Sequence, residues 1–403
     1  MNPINLYFDV RDIFRAPRLA LSGKKIWIFL IGNLAGFVLY WIFTYIALAA
    51  AGVPFSNAIA TYGLYPCLYG VDAPWFAWAL YYIGSLGWIA FLHLSCTAVA
   101  RVTLKQLKGD NFFSAGDAWN YVNKHWHPVI FTSISIVLIL GFFLLFAGIF
   151  ALFGKIPYVG EYLFALPYLF YFLGSVFTVY TAFVLVISCI YTPAIVGAYE
   201  EDTMGSVFQS YSIAWSQPWR VVLYNIVLLP LAWWSLKLFS WFMFAGFQLV
   251  NHVFGMSFLM GEKATSIVGN ALNFVIPRGL CESICAPFSC SGALCGTPCS
   301  FYTLPEAGSL SGSEMGASII VGLFLLLILF SIVSYGLSIL SVGETLMFII
   351  FKKKSDDDDL IERKDEDELE EDDEDDFSFD DDGEESESDS NDEDANTDNS
   401  EEE

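Results

Sequence analysis

Three ionisable side chains, His93, Lys237 and Glu344, lie within long apolar stretches of the chain. Ionisable groups are costly inside a membrane, so each is a candidate site for binding a proton or an ion. His93 lies eight residues before Arg101 and Glu344 eight before Lys352, which is about 12 Å along a helix. One interpretation is a proton-sharing pair; the other is two separate polar groups near the membrane surface. Lys237 is predicted near the opposite surface, where its long side chain reaches water.

Six cysteines are predicted to lie outside the membrane: Cys67 in the first outer loop, and Cys281, Cys285, Cys290, Cys295 and Cys299 in the third. An even number of cysteines in an oxidising compartment favours disulfides. The segment around the last five is rich in Gly, Ser and Pro, so cross-links would be needed to order it. We expect three bridges, one of which joins Cys67 to the third loop. A metal or iron–sulfur centre and free thiols are the alternatives, although the sequence lacks a C-x2-C pair.

No catalytic pattern accompanies these residues. The sequence contains no nucleophile elbow, phosphate-binding loop, HExxH motif or dinucleotide fingerprint. His125 and His127, on either side of Trp126, are expected near lipid phosphates. We therefore predict no catalytic residue, no cofactor and no metal site, and we do not expect an enzyme or a nucleic-acid-binding protein.

The composition indicates a membrane protein with an acidic segment. The chain is 55% hydrophobic and 16% charged, with a mean hydropathy of +0.53, whereas soluble domains carry about 25% charged residues. Residues 355–403 hold 30 of the 44 acids and 2 of the 19 bases, a net charge of -28. The other residues hold 14 acids and 17 bases, a net charge of +3. An ordinary water-soluble enzyme is thus excluded.

Six stretches are apolar and long enough to span a bilayer, which requires about 20 residues. They cover 26–50, 75–100, 129–153, 162–198, 221–249 and 316–350. The fourth and sixth are longer than one straight span requires, and the fourth contains Pro167 and Pro193 as possible breaks. Gly336 and Gly343 are softer break points in the sixth.

The lysines and arginines predict the orientation, because they are retained on the cytoplasmic side. With the N-terminus inside, 15 basic residues fall inside and three outside, which places both termini in the cytoplasm. The first span is longer than the apolar part of a cleaved signal, although Ala47-Leu48-Ala49 fits a cleavage site. The location predicted is a bacterial inner membrane.

Three similar units are indicated, over 1–100, 101–199 and 200–354, the last with a Cys-rich outer loop at 250–315. Each begins with a short amphipathic helix and a basic, proline-containing corner, and continues with two spans. Such helices are typical of the lipid interface, and chance similarity is the alternative. The predicted interfacial anchors are Trp119, Trp126, Trp215 and Trp219.

The stretches Gly109 to Val129 and Glu201 to Val222 resemble units of several bacterial polytopic membrane families. One of these is the membrane domain that precedes some glycerophosphodiester phosphodiesterases. The resemblance covers about a tenth of the chain and implies an all-α integral membrane fold. It implies no catalytic residue, because the phosphodiesterase domain has no counterpart in this chain.

The acidic segment 355–403 is predicted to be a disordered cytoplasmic tail, because it combines high charge with few apolar residues. Such tails bind basic proteins or divalent cations, or only increase solubility. The function expected is a non-enzymatic membrane scaffold or accessory subunit that contacts lipids and belongs to a membrane complex or a homo-oligomer. A channel or transporter with a path between the units and a His93/Glu344 gate is the alternative, and lipid handling is a third.

Overall fold

The computed structural model describes residues 6–275 and 308–364, and all regular elements in these residues are helices. Six of the helices are long and apolar enough to cross a bilayer, which confirms the prediction of six spans in an all-helical protein. They are α2 (Gly23–Ala50), α4 (Trp75–Lys108), α6 (Trp126–Phe153), α8 (Tyr168–Tyr199), α10 (Pro218–Phe254) and α12 (Gly312–Asp356).

Short helices connect and precede these spans in the described part of the chain. After a 3-10 helix, Val10–Arg15, they are α1 (Ala16–Ala20), α3 (Phe55–Tyr62), α5 (Ala115–Lys124), α7 (Val159–Ala165), α9 (Thr203–Ser216) and α11 (Glu262–Val275). The sequence did not predict α11, which lies within the expected outer loop 250–315. Residues 276–307 of that loop and 365–403 of the acidic segment lie outside the described residues.

Two of the predicted break points behave differently from each other. Helix α8 begins directly after Pro167, whereas Pro193 lies inside the helix without ending it. Helix α12 continues through both of its glycines for 45 residues, about 68 Å at 1.5 Å per residue. This is more than twice the ~30 Å hydrocarbon thickness of a bilayer. The last third of α12 is buried among other helices.

Helices α4, α8 and α12 contact one another and form the centre of the bundle, while α2, α6 and α10 pack around them. We call the end of the bundle where Lys108, Tyr199 and Asp356 lie the basal end. The largest cluster of buried apolar side chains lies there and draws on α4, α8 and α12 together with the short helices. We call this cluster the basal core.

The short helices at the basal end follow a cyclic pattern. Helix α5 packs on α4 and α2, and α9 packs on α8 and α6. The 3-10 helix and α1 pack on α12 and α10. Helices α5 and α9 thus contact the two spans of the predicted unit that precedes each of them. The first short segment, at the N-terminus, contacts the two spans of the third unit. Three units joined in a ring would produce this pattern, although the internal repeat itself stays a prediction.

Glycines allow the closest approaches between the spans. A Cβ atom added to Gly36 of α2 would collide with Trp88 of α4, and one added to Gly197 of α8 would lie 2.7 Å from the carbonyl oxygen of Thr97. Small residues are common at membrane helix contacts, because they let two backbones approach closely. Helices α4 and α8 therefore cross with almost no side chain between them at Gly197.

A capping box starts helix α5. The carboxylate of Asp117 accepts hydrogen bonds from the backbone N–H and the hydroxyl of Ser114, at 3.0 and 2.6 Å. The hydroxyl oxygen of Ser114 in turn accepts a bond from the backbone N–H of Asp117, at 3.2 Å. The hydrogen bonds from Ser114 hold the pKa of Asp117 below its usual range. Such caps fix the start of a helix whose first N–H groups have no internal partner.

Replacing Ser114 with alanine should lower the free energy of unfolding by about 1 kcal/mol, because it removes both side-chain bonds. Since the pKa of Asp117 is lowered, its contribution is present above the ordinary aspartate pKa of about 3.9 and is lost as the pH falls below it. In thermal unfolding in detergent, the difference in stability between wild type and Ser114→Ala should thus be smaller in acid than at neutral pH. Ser216→Ala, at the last residue of α9, is the control and should have little effect. An undiminished difference in acid would contradict the role of the carboxylate.

Candidate functional site

An ion pair joins two spans inside the basal core. The side chain of Arg101, at the basal end of α4, is 0% exposed, and its Nη1 atom lies 2.5 Å from Oε1 of Glu200. The guanidinium also lies over the ring of Tyr121 on α5, at 4.5 Å from the centroid. The hydroxyl of Tyr121 donates a hydrogen bond to the backbone oxygen of Val196 on α8, at 2.7 Å. This pair and its aromatic neighbour connect α4, α5 and α8.

The sequence did not single out Glu200. Arg101 was counted among the basic residues that predict the cytoplasmic side, and the structure places its side chain inside the protein. One sequence signal was present: Glu200, Glu201 and Asp202 form an acidic triplet directly after a span, on the side where basic residues predominate. An acid at that position has an arginine available as its partner.

Other lysines at the basal end are also bound within the protein. Lys24 donates to the backbone oxygen of Phe113 at 3.0 Å, and the buried Lys25 donates to that of Leu19 at 3.1 Å. The hydrogen bond of Lys24 connects the start of α2 to the segment before α5. These basic groups therefore stabilise the contacts between helices as well as carrying the charge that predicts the orientation.

Glu344 lies on α12 where this helix meets α4 and α8. Its side chain is partly buried and forms no hydrogen bond or ion pair with the residues that the structure describes. One turn before it, the hydroxyl of Ser341 donates to the backbone oxygen of Cys96 on α4, at 3.1 Å. One turn after it, Met347 accepts a hydrogen bond from Tyr191 of α8, at 3.3 Å. The carboxyl group is thus close enough to Cys96 and Tyr191 for electrostatic interaction.

His93 does not pair with Glu344 in the structure, which describes both residues. Its Nε2 atom lies 3.1 Å from the backbone oxygen of Cys189 on α8, and its Nδ1 atom lies 3.0 Å from that of Ile89. A neutral imidazole has one N–H and can donate to only one of these oxygens at a time. His93 therefore connects α4 to α8 and does not share a proton directly with Glu344.

Lys237 contacts an aromatic ring of its own helix. Its Nζ atom lies 4.5 Å from the ring centroid of Trp233, one turn earlier on α10. This is a cation–π contact, in which the negative face of the ring attracts the ammonium group. No acid is bound to Lys237 among the described residues, and its position near a membrane surface stays a prediction.

The four predicted tryptophan anchors have different surroundings. Trp215 is 81% exposed, and Trp219 and Trp126 are also exposed. Trp119 instead packs against the basal core, where its indole N–H lacks a hydrogen-bond partner within the described residues. Three of the four tryptophans can therefore contact lipid directly, while Trp119 holds α5 against the bundle.

The structure does not support the predicted disulfides. The described residues include no pair of cysteines at disulfide distance, and Cys67 is a free thiol. The loop around Cys67 is ordered by hydrogen bonds from tyrosines rather than by a cross-link. The hydroxyl of Tyr40 donates to the backbone oxygen of Pro66, and that of Tyr45 to the backbone oxygen of Gly63, both at 2.6 Å. The other five predicted cysteines lie outside the described residues: Cys281, Cys285, Cys290, Cys295 and Cys299.

The first residues after α12 are fixed to the basal end. We call residues 355–361 the tail root. Lys352 binds Asp356 at 2.6 Å and lies 4.2 Å from the ring centroid of Tyr199. Lys353 binds Asp357 at 3.1 Å. Leu360 is only 2% exposed and belongs to the basal core, so the tail root is held against the helical body.

A small cleft lies beside the tail root, between α9 and the end of α12. Its volume of about 10 Å³ leaves room for about one water molecule. The lining includes Gln217, whose amide donates to the backbone oxygen of Phe351 at 3.1 Å. In the part of the chain that is described, no three metal-ligating side chains lie together.

The six apolar helices indicate an integral, multi-pass membrane protein of the all-α class. No protein-family model matches the chain, and no curated protein or solved structure matches it either. The resemblance to the bacterial membrane families therefore carries no further argument. What the protein does has to be argued from its own geometry.

Proposed function

We propose that the protein is a non-enzymatic membrane scaffold or accessory subunit, whose helical body presents the acidic segment to a basic partner protein. The single observation that carries this proposal is the tail root. Two ion pairs and the buried Leu360 hold the chain against the basal core immediately before its most acidic part. A tail that served only for solubility would not require a fixed point of departure.

The ties within the basal end support a rigid body. The Arg101–Glu200 pair joins α4 to α8, and the hydroxyl of Ser338 on α12 donates to the backbone oxygen of Ala20 at the end of α1, at 3.1 Å. Buried ion pairs and hydrogen bonds of this kind favour one arrangement over alternatives, because each partner is costly to leave unpaired. A rigid body is what a scaffold requires in order to hold its partner at a constant place on the membrane.

The membrane placement follows from charge and aromatic residues. The excess of basic residues at the basal end favours a cytoplasmic position for it and for both termini, in a bacterial inner membrane. Helix α9 turns Met204, Phe208 and Trp215 outward, while its buried face against the bundle combines small residues with Val207 and Ile213. An outward apolar face next to basic residues suits the lipid interface. Protease added to sealed, right-side-out cells should then leave the acidic segment intact.

Co-purification from native membranes tests the scaffold. Deletion of 365–403 keeps the whole tail root, so the helical body should fold while its basic partner is lost. The matched control joins residues 355–403 to an unrelated single-span helix and should retrieve at least about tenfold less partner, a difference of ~1.4 kcal/mol in binding. Equal retrieval by the control would show that the body contributes nothing. If the full chain co-purified with no partner that high salt releases, the proposal would be overturned.

A channel or transporter is the second candidate, and the unpaired Glu344 favours it. Intramembrane carboxyl groups mark ion and proton pathways in many membrane proteins. Flux through reconstituted vesicles that falls with Glu344→Gln would support this function. Loss of the partner on tail deletion, without any flux, would support the scaffold instead.

A further inference from the structure

We propose that the carboxyl group of Glu344 is a proton-binding site at the junction of α4, α8 and α12. Its ligand is a single proton, which converts the carboxylate into the neutral acid. The site is independent of the acidic tail beyond the helix, because Glu344 lies about 18 Å along α12 from the end of that helix at Asp356. It also does not require His93, whose ring is directed to the backbone of α8.

Among the residues that the structure describes, no cation faces Glu344. The titratable groups that face it are the thiol of Cys96 on α4 and the hydroxyl of Tyr191 on α8. Both are weak acids, so neither is a cation that could stabilise a carboxylate. Helix α10 adds the amide of Asn225, which is already directed to the hydroxyl of Tyr191 at 3.0 Å.

Three cations near the basal part of α12 are bound to groups other than Glu344. Lys25 of α2 donates to the backbone of Leu19. Arg15, which precedes α1, lies 3.4 Å from Asp12. Lys352 of α12 itself binds Asp356. An ionised carboxylate placed among apolar groups without a partner is strongly disfavoured, so Glu344 holds its proton at neutral pH.

The carboxyl group is nevertheless accessible. Its side chain is partly buried rather than sealed, although the residues around it on α12, from Ser341 to Lys352, are almost all buried. The proposal requires that a proton reach and leave the group without unfolding the bundle, and this partial exposure leaves room for it. This distinguishes a reversible site from a carboxylic acid that only fills space in the core.

A membrane-soluble carbodiimide tests the assignment on the wild-type protein. Dicyclohexylcarbodiimide reacts with a protonated carboxyl group: the acid adds across a C=N bond, and the O-acylisourea that forms rearranges to an N-acylurea that retains both reactants. Native membranes are treated at about pH 6 and about pH 9, which lie on either side of neutrality. Mass spectrometry then measures the labelled fraction of the peptide that contains Glu344.

We expect Glu344 to be labelled at the lower pH and at least about tenfold more slowly at the higher one, since the protonated fraction of an acid falls up to tenfold per pH unit. Glu344→Gln should abolish the label, while Glu161, which is exposed on the short helix α7, provides the internal control and should stay unlabelled. A folded protein that is not labelled at Glu344, or is labelled equally at both pH values, would overturn the assignment. Protection by sodium or potassium ions at constant pH would instead assign the site to a metal cation and would equally overturn it. The test needs neither a partner nor the acidic segment, so its outcome is separate from that of the scaffold.

Discussion

Replacing Arg101 with methionine should destabilise the membrane body by roughly 3–5 kcal/mol, the usual cost of removing one partner of a buried ion pair. The substitution leaves Glu200 next to a neutral side chain in the basal core, where only 9% of its side chain is exposed. It also removes the guanidinium that lies over the ring of Tyr121. The loss is measured by unfolding the purified protein in detergent with heat or denaturant. Arg11→Met is the matched control, because Arg11 is exposed at the same end, and it should change stability by less than about 0.5 kcal/mol.

A double substitution separates the ion pair from simple packing. Arg101→Met combined with Glu200→Gln leaves no charge unpaired, so it should be more stable than Arg101→Met alone. Arg101→Lys keeps the charge but loses the planar group that stacks on Tyr121, so it should fall between wild type and methionine. A double variant no more stable than the single one would show that Glu200 is not the partner whose charge matters.

The spans were predictable because each depends on a local property of the sequence. A membrane helix satisfies its own backbone hydrogen bonds, so length and hydropathy are enough to locate it. The predicted 129–153 and the observed Trp126–Phe153 agree within three residues. The ends were less predictable, since α4 continues to Lys108 and α12 to Asp356 through charged residues. Those last turns are stabilised by tertiary contacts in the basal core, which no local pattern contains.

The direction of an amphipathic face was not predictable. The same spacing of three and four residues placed Trp119 and Trp215 on the apolar faces of their helices. In the structure Trp119 packs against the basal core, whereas Trp215 is exposed. The pattern shows which residues share a face, but it does not show whether protein or lipid covers that face.

For His93 and Glu344, the sequence predicted the level along the helices but not the direction in which each side chain points. Equal distances from Arg101 and Lys352 placed His93 and Glu344 at one level, and contact between them also depends on the helix faces they occupy. The structure turns His93 toward α8 and leaves Glu344 between Cys96 and Tyr191. Long-range packing decides these rotations, so the sequence supports the individual residues and not the pair.

Adding one methyl group at Gly197 should have the second large effect on stability. The Cβ atom of Gly197→Ala would lie 2.7 Å from the backbone oxygen of Thr97 and 2.8 Å from the Cβ atom of Ala100. Backbone atoms cannot move aside without shifting α4 relative to α8, and Arg101, next to Ala100, would shift with them. Overpacking of this kind typically costs about 1–3 kcal/mol, and misalignment of the ion pair adds to it.

Gly174→Ala is the matched control, because Gly174 lies on the same helix and an added Cβ atom meets nothing within 4 Å. It should be neutral or stabilising, since alanine is favoured over glycine inside a helix by roughly 0.5–1 kcal/mol. The two Gly→Ala substitutions on α8 should thus change stability in opposite directions in the same unfolding assay.

Adding Ala100→Gly to Gly197→Ala should recover part of the lost stability, because it removes one of the two close contacts and leaves the contact with Thr97. If Gly197→Ala were as stable as Gly174→Ala, α4 and α8 would not cross closely at Gly197. A shift of α4 at this residue could then not misalign the Arg101–Glu200 pair.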